Sequence, residues 1–478
     1  MMMRFTLILL SACISTSLLL EASSAQELLA PPAARVPPAA GRSYTAPPSI
    51  PSLAGETAAI DRLGGGEQPA AYDLAALLSL ASNNNPTLRQ ARAHVSAELG
   101  KALQAGLYPN PVFSYEAEQV FLDVPGDKDS PGEFQGGVVQ QKFVTAHKLQ
   151  ISRRKYLQRA RVAEHLTMVQ QFRVCNDVRI HFYRTLAASE ILSIYDELLK
   201  TAEDAAVTAQ ELYNMGQARR PEVRQANVAL QRARLERLRA ENHFRDQFRE
   251  LSALVGTPLS DGSVVGELTP ECDLLTFQQA LDRLLSESPE LAAARAKLAV
   301  DATTVRREEV EWVPDVIVKA GPGYNFDARE TTAMAGVSVE IPLFDRNQGT
   351  IRQARADYAR QRQEIQRLEY ELQQRLAATY ERYATAVQHA IEFERVILPE
   401  SKAAYAELLE SYKSNRVDWS DVLLAQRDYF DARRMQVDNL LQAREHEILV
   451  YGYLLQNGLM AASGVTPPGH IDATPKPR

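Results

Sequence analysis

Asn85-Pro86-Thr87-Leu88, followed by Ala91-Arg92-Ala93, returns later in the chain as Ser288-Pro289-Glu290-Leu291, followed by Ala294-Arg295-Ala296. The echo continues outward. Pro111 answers to Pro314 at the same spacing, Gly137-Val138 to Gly336-Val337, Tyr213 to Tyr412, and Val223-x-x-Ala226 to Val422-x-x-Ala425. A short net deletion among the strand segments accounts for a change in spacing along the way. The 478-residue chain therefore reads as one structure made of two similar halves, residues 71–258 and 277–458. Residues 259–276 link them and 459–478 form a tail. Each half has the order helix, two short strands, long helix, returning helix.

The period of the apolar residues changes within each half from helical to alternating. From Pro111 to Phe121, one face carries Phe113, Tyr115, Ala117 and Phe121, and the other Ser114, Glu116 and Glu118. Strands are expected at about 111–122 and 134–144, and again at about 315–326 and 335–344. In the second half, Val316, Val318, Ala320, Tyr324 and Phe326 share one face. Val337, Val339, Ile341 and Leu343 stand opposite Ser338 and Glu340. Strands of this length, apolar on one side and polar on the other, are the signature of a transmembrane β-barrel. A soluble hairpin would show the same alternation. Gly321-Pro322-Gly323 reads as a loop or strand-end breaker.

Long helices weigh the balance toward the membrane reading. Thr145 to Tyr213 contains neither glycine nor proline, a run of roughly 100 Å if helical throughout. Gln348 to Ser414 repeats it, with Gly349 at its start and Pro399 expected to kink it or to cost it one backbone hydrogen bond. Ile365, Leu368, Leu372 and Leu376 form one stripe, as coiled-coil pairing requires. Gly216 and Asn415 suit left-handed caps at the two far ends. Shorter helices return from about Pro221 to Val255 and from Ser420 to Leu455. Those at Pro86–Leu107 and Pro289–Val310 would stack on them end to end, two short helices matching one long one in a tube wall.

Composition excludes several classes of function. Hydrophobic residues make up 45% and aromatics only 7%, in keeping with long packed helices. A net charge of −7 argues against nucleic acid as a partner. No Walker loop, dinucleotide glycine motif or nucleophile elbow is present, so no enzyme and no cofactor are expected. The eight histidines are dispersed, no metal-ligand set is expected, and His446 reads as a surface helix residue. Of the cysteines, Cys175 and Cys272 lack metal-site spacing and read as separate thiols rather than a disulfide.

The N-terminus is a targeting segment, with Arg4, an apolar run from Phe5 to Leu20, and Ser23-Ser24-Ala25 before Gln26. Residues 1–25 thus form a signal peptide. A competing reading takes Leu10-Ser11-Ala12-Cys13 as a lipoprotein signal with Cys13 lipidated, although the apolar run ahead of Cys13 is short. Residues 26–70, rich in Pro and Ala, read as a flexible spacer. Beyond Ala25 no apolar run approaches the ~20 residues of a membrane-spanning helix. A membrane role therefore rests on strands.

At these residues the chain is similar to the TolC family of outer membrane efflux proteins, over roughly Tyr72 to Gly458. The most specific stretch is Gly336-Val337-Ser338-Val339-Glu340-Ile341-Pro342-Leu343-Phe344-Asp345-Arg346-Asn347-Gln348-Gly349. It resembles the CzcC-like branch linked to metal-cation efflux. Ile397-Leu398-Pro399 and Asp421-Val422-Leu423-x-Ala425-Gln426 follow the family pattern as well.

The resemblance implies a mainly α fold with a β-barrel contribution. A homotrimer would share a twelve-stranded barrel in the outer membrane lipid, above a periplasmic α-helical tunnel in a Gram-negative-type envelope. It also implies partners: a periplasmic adaptor and an inner-membrane RND-type pump. Tyr213, Gly216, Tyr412 and Asn415 would be the docking turns, at the tip formed by Tyr213–Glu222 and Tyr412–Asp421. Asp421 matches a gate position, Glu222 is its first-half counterpart, Asp418 adds another acid nearby, and Arg416 lies beside the position that often carries a gate arginine. Leu424 replaces the second aspartate of some members, and Val417 occupies the usual position of a gate arginine. Phe113, Tyr115, Val316, Val318, Val337 and Val339 would face lipid. The competing reading is a periplasmic coiled-coil adaptor anchored through Cys13, without a pore.

Overall fold

The computed structural model describes residues 71–118, 133–259, 262–270, 275–414 and 416–465. The expected signal peptide with Cys13, the spacer at 26–70, Asn415 and Cys272 lie outside the described residues.

Each repeat runs as expected. The first comprises β1 (Ala71–Tyr72), α1 (Leu74–Asn84), α2 (Pro86–Gly106), β2 (Val112–Glu118), β3 (Phe134–Phe143), α3 (Lys148–Asn214) and α4 (Arg220–Val255). After β4 (Ser263–Val264) the second comprises α5 (Phe277–Glu287), α6 (Pro289–Glu309), β5 (Val316–Asn325) and β6 (Glu330–Val339). It closes with α7 (Gln348–Glu392), a π turn (Phe393–Ile397), α8 (Leu398–Lys413) and α9 (Trp419–Tyr451). The 67 residues of α3 are about 100 Å long at the α-helical rise. Among the described residues no helix is long and apolar enough to cross a membrane.

Asn85 and Ser288 end one helix and start the next, and each precedes a proline at the first helical turn, where its missing N–H is not needed. The α2 and α4 segments meet end to end at this joint. Asn85 Nδ2 donates to the carbonyl of Leu254 (2.9 Å), and Gly256, at φ 81°, closes α4 against Asn84 and Asn85. The main core lies at this level, where Tyr72, Leu77, Phe182, Leu251, Leu284, Leu291, Leu372 and Leu455 pack together. Toward the sheet, α2 and α6 both pack on α3. There Arg159 donates twice to the buried Glu98 carboxylate (2.8 and 3.1 Å).

At Pro399 the helix accommodates the missing backbone donor through a π turn. The helix widens into the π turn just upstream, and the Leu398 N–H reaches back to the Phe393 carbonyl. The register shift accommodates the donor that Pro399 lacks, so α7 and α8 stay continuous. His446 is not the surface residue expected. It is half-buried, its Nδ1 is enclosed without a hydrogen bond, and burial holds its pKa below the ordinary histidine value. Cys175 is a free thiol.

The four long strands form one antiparallel sheet in the order β2-β3-β5-β6. β6 begins earlier than expected and ends at Val339, because Asn325 pairs with Glu330 across a short turn at Arg329, φ 54°. Ile341 and Leu343 therefore lie beyond the strand. Gly321-Pro322-Gly323 is strand rather than loop, paired with Met334, Ala333 and Thr332. Pro322 is tolerated in an inner strand because ladder pairing with β3 is interrupted between Gly136↔Gly323 and Val139↔Ala320. The glycines let the strands close up there. A Cβ on Gly321 would stand 2.0 Å from the Gly137 carbonyl, and one on Gly323 would stand 2.2 Å from the Phe134 ring.

Candidate functional site

Two regions carry the residues singled out in the sequence: the sheet and the far ends of the long helices. On the sheet, register puts Phe113, Tyr115, Val139, Val316, Val318, Val337 and Val339 on one face. Phe113 and Val337 are 74% and 70% exposed. An apolar face left this open in water is an interaction surface. The opposite face carries Ser114, Glu116, Gln140, Lys319 and Ser338, and buries Phe134 and Val138. β2 and β6 are the edge strands, each with one row of backbone groups facing away from the sheet.

The junction of sheet and helices is pinned by charge. Asp315, just ahead of β5, accepts from the Thr145 N–H (3.1 Å) and from Lys148 Nζ (2.9 Å), with Lys142 Nζ at 3.2 Å. Burial alone would raise its pKa, but these partners outweigh burial and hold the carboxyl below the ordinary aspartate value. The Asp345-Arg346-Asn347-Gln348 stretch does the equivalent work in the second half. Asn347 adopts φ 60° at the start of α7, its N–H donates to Asp345 Oδ1 (2.9 Å), and its Nδ2 donates to the Glu308 carboxylate (2.8 Å).

At the far end both long helices finish in the same hydrogen-bonded cap. Gln217 N–H donates to the Leu212 carbonyl (2.8 Å) and Gly216 N–H to that of Tyr213 (3.0 Å), with Gly216 at φ 77°. Arg416 N–H donates to the Ser411 carbonyl (2.9 Å), the matching bond of the second repeat. Beyond the caps, Ala209, Val223, Ala226, Trp419 and Val422 form a second, smaller core. It brings the two hairpin tips together.

This core gives the two equivalent tyrosines, Tyr213 and Tyr412, different surroundings. Tyr412 packs on the buried Trp419 with ring centroids 4.8 Å apart. Burial, with Glu222 beside it, holds the Tyr412 hydroxyl above the ordinary tyrosine range. Tyr213 is exposed, because the residue that corresponds to Trp419 in the first repeat is Arg220. Asp421 and Glu222 occupy equivalent places. The Asp421 N–H donates to Asp418 (3.1 Å) and the Glu222 N–H to Arg219 (3.0 Å), each in the first turn of its helix, where acids favour the helix dipole. Asp418, Asp421, Leu424 and Arg416 are exposed, and Glu222 is half-buried. Sequence reasoning missed Trp419, although it is one of only two tryptophans and stands at a helix start.

Residues 77–257 and 280–454 match the outer membrane efflux protein family, one block for each repeat. The chain belongs to the outer membrane efflux protein family. As a member of it, the protein is an outer membrane efflux channel. The cobalt-zinc-cadmium resistance protein CzcC of Cupriavidus metallidurans is 26% identical over 372 residues, which is 75% of this chain and 84% of CzcC. Among solved structures the fold is similar to CusC, with TM-score 0.66 and 15% identity over 83% of this chain and 96% of that one. It is also similar to the open-state MtrE outer membrane channel of Neisseria gonorrhoeae, with TM-score 0.67 and 16% identity over 80% and 89%. CusC forms a transmembrane channel and MtrE is an outer membrane channel, and a coiled-coil adaptor without a pore is not supported.

Proposed function

We propose that this channel is the passive exit duct of a tripartite efflux system, working as a homotrimer in the outer membrane of a Gram-negative-type envelope. The observation that carries the reading is the sheet: four antiparallel strands with two free edges and an exposed apolar face. Three copies joined β2 to β6 would pair every edge, which is how a sheet becomes stable in lipid. The helices then form a periplasmic tunnel, and the caps at Tyr213–Gly216 and Tyr412–Asn415 dock a periplasmic adaptor below it, with an inner-membrane RND-type pump as the energy source. Each protomer divides at the bounds read in the sequence, 71–258 and 277–458. Phe113, Tyr115, Val316, Val318, Val337 and Val339 face lipid.

Asp421 gates the tip, with Asp418, Arg416 and Glu222 around it. Three copies of Asp421 about one axis repel each other and attract cations, so ring charge tunes passage. Heavy-metal cations are the proposed cargo, on the likeness to a cobalt-zinc-cadmium resistance protein. Particles of detergent-extracted protein should be three-fold hollow cylinders by electron microscopy. Deleting the gene should lower tolerance to cobalt, zinc or cadmium, with Asp421→Ala changing tolerance while trimers persist. Monomeric particles would refute the trimeric duct; intact trimers with unchanged metal tolerance would refute the cargo.

A further inference from the structure

The polar face of the sheet carries a charge pair that the duct reading leaves unexplained. Lys319 Nζ on β5 lies 3.3 Å from both carboxylate oxygens of Glu116 on β2, reaching across the intervening β3. Lys142 and Lys319 are the two lysines among the described residues of these four strands. Lys142 belongs to the Asp315 latch, at 3.2 Å. Lys319 therefore balances charge on the sheet face itself.

The backbone makes room for the pair. Lys319 stands opposite Gly336 on β6, and a Cβ there would come within 3.3 Å of Lys319 Cγ. Glu116 stands opposite Gly136, which in turn faces Gly323. Glycine is thus the neighbour of Glu116 on β3 and of Lys319 on β6, while Gln140 is the β3 neighbour of Lys319. Register also places the pair on the face opposite Phe113, Tyr115 and Val337.

We infer that Lys319 neutralises Glu116 on the lumen side of the strands and so sets the charge selectivity of the strand-lined pore. The inference rests on the trimeric pore proposed above. Carboxylates repeated about a narrow axis concentrate cations and hold divalent ones, whereas a conducting pore needs binding weak enough for release. Lys319 prevents such a ring from forming, so that a divalent metal cation leaves instead of lodging among the strands.

The test is conductance of the purified trimer in planar bilayers under a KCl gradient, followed by added Zn2+. Lys319→Met should raise the K+/Cl− permeability ratio about threefold and make the pore susceptible to Zn2+ block. Glu116→Gln should lower the ratio. The double variant, neutral again, should return to the parental ratio and controls for folding of the sheet. Conducting pores with unchanged ratios in both single variants would overturn this inference alone. Absence of conductance from the parental protein would overturn the pore reading and this inference with it.

Discussion

Asn85 Nδ2 donates to the backbone carbonyl of Leu254 over 2.9 Å, across 169 residues of sequence. The same side chain accepts from the Thr87 N–H (2.9 Å) and so caps α2. Thr87 in turn donates to the Gly458 carbonyl (2.8 Å), which Gln170 Nε2 also reaches (2.7 Å). One amide thus joins the start of α2, the end of α4 and the segment beyond α9, and lets two short helices run as one beside α3.

Asn85→Ala removes the cap and leaves the Leu254 carbonyl buried without its donor. The combined loss should be about 2–4 kcal/mol. Thermal unfolding followed by circular dichroism in detergent checks it. Asn85→Asp keeps the cap acceptor but sets a buried carboxylate against the Leu254 carbonyl, so at neutral pH its melting point should fall well below that of the parent despite the retained cap.

Gly321→Val should abolish assembly. The first added carbon would overlap the Gly137 carbonyl, which stands 2.0 Å from that position, and backbone cannot yield as a flexible side chain would. Helical signal should persist while membrane-inserted oligomer disappears from the outer membrane fraction. Normal insertion of this variant would show that the close approach of β3 and β5 is not required.

The Asp315 latch makes stability depend on acidity. A carboxyl held below its ordinary value of 3.8 stabilises the fold fully above that value and loses the contribution as pH falls through the lowered one. Asp315→Asn should therefore be less stable than the parent at neutral pH, and the gap should narrow in strong acid. Unfolding midpoints measured from pH 7 downward check the sign.

Trp419→Ala should loosen the tip without touching the main core. Trp419 is 4% exposed and packs with Val223, Ala226 and Val422, and a buried aromatic of this size typically costs about 3–5 kcal/mol to remove. Limited proteolysis should cut first between residues 213 and 222 or 412 and 421, and adaptor capture should weaken. An unchanged digestion pattern would show that the two hairpin tips hold together without it.

Much of this was legible because local chemistry and repetition agree. A run without glycine or proline from Thr145 to Tyr213 can hardly be anything but one helix, and α3 follows it within a few residues at each end. Prolines after Asn85 and Ser288 mark helix starts for a reason that needs no tertiary contact. The strand bounds were less legible. Ile341 and Leu343 continue the alternation of Val337 and Val339, yet β6 stops at Val339, because the turn near Arg329 shifts the paired segment toward the N-terminus. Gly321-Pro322-Gly323 has the composition of a turn and becomes strand only because β3 comes close enough to need bare backbone there.

By itself, then, the sequence determined the two-fold repeat, the helix lengths, the alternating faces of the strands and the family. These depend on periodicity and on residues within a turn or two of each other. Only the tertiary structure decided which equivalent residues would differ. Tyr213 and Tyr412 match in sequence, but Trp419 faces one and Arg220 stands at the corresponding place for the other. Glu116 and Lys319 lie in different repeats, and nothing local pairs them. Their contact exists because the strand order places β3 alone between β2 and β5, with Gly136 beside Glu116, an arrangement set by packing across the whole sheet.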